Sequence, residues 1–141
     1  MQPISHFQVR GVPGSVNTTN FQGRRVDFWS PRNPTHLLIA HDGQNVFDPR
    51  SATRRRTWKM AQTSIKVFEE HGLTPPAIIG VFHSSNKFDP HGRFKDLTPE
   101  NPFRSNVPAP IDAPFPISEL RGNQYQELIA DVIVPTITKE L

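Results

Sequence analysis

Two polar clusters follow two apolar runs in this chain, and their residue types are those that move protons, polarise carbonyls or hold cations. The first is His41-Asp42-Gly43-Gln44-Asn45, directly after Leu37-Leu38-Ile39-Ala40; the second is His83-Ser84-Ser85-Asn86, after the run from Ala77 to Phe82. Carboxylate, imidazole, amide and hydroxyl groups gathered at strand ends suit general acid–base work or the orientation of a carbonyl. His41, Asp42, His83 and His91 could also supply a zinc site with an open position, although no pair of histidines has helical spacing. The ordinary role of Asp42 and Asn45 at such a place is to close a turn through Asx-type hydrogen bonds to nearby main-chain groups. Residue types alone leave these roles open.

The elements that must position the clusters are legible from periodicity. Leu37 to Ala40, bounded by Pro34 and Asp42-Gly43, reads as a buried strand entering a glycine-dependent turn. Trp58, Ala61, Ile65 and Phe68 recur at spacings of three and four. They predict a helix from about Thr57 to His71, with Thr57 as N-cap and Gly72 as its stop. Ala77 to His83 is a second apolar strand. Strand, helix and strand of this length make a βαβ unit with a right-handed crossover, which places both strands in one parallel sheet. Both polar clusters then lie on the same rim, where ligands bind in such sheets.

Upstream, the stretches Ile4 to Arg10 and Gly23 to Ser30 alternate apolar and polar residues and predict two antiparallel strands joined by a polar loop. Downstream, residues 87–121 form a long Pro-rich loop, expected as an ordered, irregular excursion that docks through Phe88, Phe94, Phe103 and Phe115. A final helix is expected from Asn123 to about Ile137. Asn123 with Gln126 gives a capping-box pattern, and Leu128, Ile129, Val132 and Ile133 give the apolar face. Pro135 should kink or end it.

Composition bounds the classes. A chain of 141 residues suits a single domain, and an apolar fraction of 35% with 15 Pro requires part of it to be extended or looped. With no Cys, disulfide frameworks, thiolate metal sites and Cys nucleophiles are excluded. No apolar run approaches bilayer length and no leader pattern opens the sequence, so the expected location is cytoplasmic, with no membrane partner. The net charge is +3, and the run Arg54-Arg55-Arg56 is not continued by further cations and stacking aromatics. It reads as a solvated loop, and no nucleic-acid partner is expected. No cofactor is implied.

The order of segments carries a resemblance. His41-Asp42-Gly43-Gln44-Asn45-Val46-Phe47-Asp48, then Thr57-Trp58 opening a helix, Ile78-Ile79-Gly80-Val81 as the next strand, Arg93-Phe94-Lys95-Asp96-Leu97-Thr98-Pro99 in the loop and a helix from Tyr125 to Pro135 resemble one esterase family of α/β-hydrolases. That family contains the enterochelin esterases, esterase D-type enzymes and mycolyltransferases, and the match runs from about residue 24 to residue 137. The resemblance implies an α/β-hydrolase-like three-layer sandwich and activity on carboxylic esters. It implies that the main-chain N–H of Gln44 donates to an oxyanion hole, that Gly43 allows close approach of substrate, and that Asp42 and Asn45 face the pocket. Arg93 matches the family's loop arginine.

One departure is large. The family's G-x-S-x-G nucleophile elbow is absent, and Gly11-Val12-Pro13-Gly14-Ser15 has the wrong spacing and place. The resemblance therefore covers only the amino-terminal half of a hydrolase, with part of an oxyanion hole and neither nucleophile, acid nor catalytic His. Such a half, acting on a small ester only when completed, would present an open sheet edge for self-association or for the missing portion. The other readings are a non-catalytic interaction module on a truncated hydrolase fold and a metal-dependent hydrolase.

Overall fold

The computed structural model describes residues 3–108 and 112–141. Within it the chain divides into two compact units, Met1–His83 with Glu140–Leu141, and Ser84–Lys139. The first unit holds a mixed five-stranded sheet, and the fold class is α/β. Its strands are β1 (Ser5–Phe7), β2 (Val16–Phe21), β3 (Arg24–Trp29), β4 (Leu37–His41) and β5 (Ala77–Val81), in the spatial order β1-β2-β3-β5-β4.

Strand β2 corrects the sequence expectation, which reads that region as a polar loop. Its sequence Val-Asn-Thr-Thr-Asn-Phe carries few apolar residues, yet Val16 and Thr19 are buried and β-branched side chains suit a pleated surface. The decisive signal is the two-residue connection Gln22-Gly23, with φ of 54° and 84°. Two successive left-handed residues match the twist of a tight hairpin, which is why a glycine sits there. The antiparallel part of the sheet thus has three strands, and Asn17 to Phe21 pairs with Phe28 to Arg24.

The βαβ reading holds in its essentials. β4 and β5 pair in parallel from Leu37 opposite Ala77 to His41 opposite Val81, and β5 also pairs antiparallel with β3. Between them runs helix α1 (Met60–Glu70), which starts three residues later than its apolar spacing predicts. Lys59 precedes it with φ 51°, outside the helical region, and Trp58 is 52% exposed. The stripe is therefore Ala61, Ile65 and Phe68 without Trp58. Alternation along the paired strands puts Trp29 and Ile78 on one face with Val16, Val46, Phe47 and Ala61 in a shared apolar core. Val26, Phe28, Ile79 and Val81 point to the opposite face, and all are buried.

The second unit contains helix α2 (Gly92–Leu97) and helix α3 (Asn101–Arg104), so the 87–121 excursion is less irregular than its proline content suggests. Ala109 to Ile111 lie outside the described residues. Phe94 packs edge-on against Phe115 at 5.3 Å, and both line a small apolar cleft with Phe103, whereas Phe88 is 86% exposed. The terminal helical stretch is α4 (Gly122–Glu127), a π-helical turn over Leu128–Ile133, and α5 (Val134–Thr138). Pro135 neither ends nor breaks it. The wider π turn immediately before Pro135 changes the hydrogen-bond register, so a residue without an N–H is accommodated. The buried apolar side chains are Tyr125, Ile129, Ile133 and Ile137, spaced by four. Asn123 does not cap its helix; its carboxamide oxygen accepts the Glu100 N–H instead. Among the described residues no helix is long and apolar enough to cross a membrane.

Candidate functional site

The turn after β4 is built by an unusual run of backbone. Asp42 adopts the left-handed conformation (φ 53°, ψ 47°), tolerated by a short polar side chain, and Gly43 to Asn45 follow as one 3₁₀ turn. The N–H groups of Asn45 and Val46 donate to the carbonyls of Asp42 and Gly43 at 3.0 and 3.1 Å. Gly43 is there because of its neighbour. A Cβ at this position would stand 2.6 Å from the Gly80 carbonyl oxygen and 2.7 Å from the Val81 nitrogen, so the turn lies directly on the backbone of β5.

Asn45 does more than the local Asx closure its position suggests. It is buried, its side-chain oxygen accepts the Thr53 N–H at 2.9 Å, and its main-chain carbonyl accepts the Trp58 N–H at 2.8 Å. One residue therefore pins both ends of the basic segment around Arg54-Arg55-Arg56, whose first two members have φ of 55° and 56°. Gln44 adds a third tie, because its carbonyl accepts the Ser51 hydroxyl at 2.9 Å. Its carboxamide oxygen is buried without a hydrogen bond among the described residues.

A polar constellation that periodicity does not reveal lies on the same unit. Asp27, 1% exposed, accepts the Thr18 hydroxyl at 2.8 Å and a two-pronged bond from Arg25 Nε and Nη2, both at 2.9 Å. The Arg25 guanidinium also lies 4.5 Å from the centre of the Phe82 ring and 4.0 Å from the Asp48 carboxylate. Asp48 in turn accepts from the N–H and guanidinium of Arg50. Burial acts to raise the Asp48 carboxyl. The Arg50 hydrogen bonds and the charges of Arg50 and Arg25 act oppositely and together hold it below the usual carboxylate range. Thr18, Arg25, Asp48, Arg50 and Ser51 line a cavity of about 560 Å³. The only sequence signal is a charged pair, Arg25 and Asp27, on one face of a strand that otherwise reads as apolar.

The remaining candidates belong to the second unit. Arg93 lies exposed in the first turn of α2, and its main-chain N–H donates to the Ser85 hydroxyl at 2.6 Å. Arg121 organises a network of that unit. It donates to Asp96, Asp89 and the Ser84 hydroxyl at 3.2, 3.1 and 2.9 Å, while the fully buried Asp96 also accepts the Ser84 N–H. Lys95 bridges Glu119 and Asp89 at 2.8 and 3.0 Å. The bonds to these two carboxylates hold its ammonium above its ordinary pKa. Ser84 is thus engaged through its hydroxyl by Arg121 and through its main-chain N–H by Asp96. As for His41, Asp42, His83 and His91, among the described residues no group of three or more His, Asp or Glu side chains could hold a metal ion.

Compared with models of known protein families, with curated proteins and with solved structures, the chain matches none.

Proposed function

We propose that this chain forms the amino-terminal half of an ester-hydrolase sheet, in which the turn after β4 offers the Gln44 N–H to the carbonyl oxygen of a small ester. The observation that supports this reading most is the backbone contact of Gly43 with Gly80. It fixes the turn against the end of β5, and a main-chain donor can stabilise a developing oxyanion only if it is held rigid before the reaction. Such a donor is worth roughly 3 kcal/mol of barrier. Within the turn the Asn45 and Val46 N–H groups are spent on local carbonyls, and the Gln44 N–H stands outside those bonds. Asp42 and Asn45 flank it.

The sheet order supports the same reading. Among the described residues β4 ends the row and pairs with β5 alone, which leaves a place for a further parallel strand. The nucleophile, base and acid would come from that further portion, and without them binding and one oxyanion donor leave little catalysis over water.

Hydrolysis of p-nitrophenyl butyrate by the purified chain, run beside sedimentation velocity, tests this. No turnover with self-association is the expected pair of results. Turnover abolished by chelators would replace the reading with metal-dependent chemistry. An inert, strictly monomeric protein would favour an interaction module whose sheet edge is covered.

A further inference from the structure

A cavity of about 770 Å³ lies in the first unit beside β1 and the start of α1, lined by none of the residues assigned above to the ester-binding turn. Its volume is in the range of small-molecule sites. Phe7, Val9, Phe47 and Pro49 give it an apolar lining, and Arg10, Arg50 and Lys59 supply three cations. The carboxylate among the lining residues is Asp48, and both of its oxygens accept from the Arg50 guanidinium at 3.1–3.2 Å. That pair largely cancels. Arg10 and Lys59 are left, and neither side chain has a hydrogen bond or ion pair to any described residue. The Gln62 carboxamide donates to the Arg10 carbonyl at 3.2 Å and so ties the segment bearing Arg10 to the first turn of α1, three residues beyond Lys59.

We propose that this groove binds a single-chain anionic amphiphile, its apolar body along Phe7, Val9, Phe47 and Pro49 and its oxyanion head at Arg10 and Lys59. Each half of the lining selects against a different competitor. A small inorganic anion would gain nothing from the apolar wall, where a buried chain contributes about 0.8 kcal/mol per methylene. A cationic amphiphile would fit the wall and be repelled by the two uncompensated charges. Carboxylate and phosphate heads share the chemistry, because guanidinium and ammonium groups pair with either. The inference is independent of the ester-hydrolase reading, since it concerns equilibrium binding and needs no nucleophile.

Isothermal titration of the full chain with dodecanoate and with dodecyl phosphate, each below its micelle concentration, is the direct test. Acetate and dodecyltrimethylammonium serve as comparators. Saturable binding at one per chain is expected for at least one anionic amphiphile, with both comparators at least about tenfold weaker. The double variant Arg10→Glu/Lys59→Glu, with its fold checked by far-UV circular dichroism, should weaken binding at least about tenfold, while Lys66→Glu on the exposed side of α1 leaves it within about twofold. Dodecanoate and dodecyl phosphate then separate a carboxylate-preferring from a phosphate-preferring site. Absence of saturable binding overturns the proposal. So does equal affinity for the cationic amphiphile, or a Lys66→Glu loss as large as that of the double variant.

Discussion

At Gly43 the absence of a side chain is a packing requirement, and at Gly72 it is a backbone one. An added methyl at Gly43 meets the backbone of β5, which cannot move without disturbing its pairing with both β3 and β4. Gly72 has φ 67° and open space around the added atom. Gly43→Ala is therefore expected to cost about 2–4 kcal/mol in urea unfolding, as overpacking against a rigid neighbour does. Gly72→Ala should cost about 1 kcal/mol for the left-handed backbone alone. Equal losses would mean that the close approach contributes nothing. Asp48 gives a pH prediction at the same scale. Its folded-state pKa lies below the ordinary value, so its contribution is present above an unfolded pKa of about 3.9 and is lost as pH falls through the folded value. The urea midpoint should drop on acidification below about pH 4, and Asp48→Asn should both lower the midpoint at pH 7 and shrink the acid drop. An acid limb unchanged by the substitution would assign that drop to other carboxylates.

Among the elements, the 3₁₀ turn and the basic segment after it behave as one object because Asn45 holds both. Asn45→Ala removes the acceptor of the Thr53 N–H and leaves the Trp58 bond to the main chain intact. A loss of about 1–2 kcal/mol is expected, with faster amide exchange confined to the segment from Thr53 to Arg56. Exchange spreading into β4 instead would show that Asn45 supports the sheet. The terminal helix illustrates a different balance. Its apolar residues at 125, 129, 133 and 137 are all buried, so burial favours continuing the helix, and the π turn removes the obstacle that Pro135 would otherwise present. Local rules name the residue that should break the helix; the gain from burying three isoleucines and a tyrosine outweighs it.

At the scale of the whole molecule the sheet's β4 end is the feature with consequences. A strand with a neighbour on one side only carries main-chain donors and acceptors that another chain can pair with. Ile39, 36% exposed on this strand, offers an apolar side chain beside that edge. If the chain associates through this edge, as the proposed function expects, Ile39→Lys should reduce that association in sedimentation velocity by several fold while the far-UV spectrum stays the same, since a charged side chain on an edge strand disfavours further pairing. Any association that the substitution leaves unchanged would place the contact elsewhere.

Strong periodicities survived the passage to three dimensions. The two apolar runs became a parallel pair, the three-and-four spacing became α1, and the four apolar residues before Asp42 led into the glycine-dependent turn. These are decided by local sequence because burial on one face dictates the period. Strand β2 was concealed by its polar composition and is stabilised by pairing on both sides, a non-local effect. The same holds for the contacts that define the candidate sites. Gly43 meets Gly80, Asn45 reaches Thr53, Arg10 shares a groove with Lys59, and Arg121 gathers Asp89 and Asp96. Residue types announce that such partners will be needed, since buried polar groups must be satisfied. Which partner each one finds depends on chain segments far apart in sequence, and only the tertiary structure brings those together.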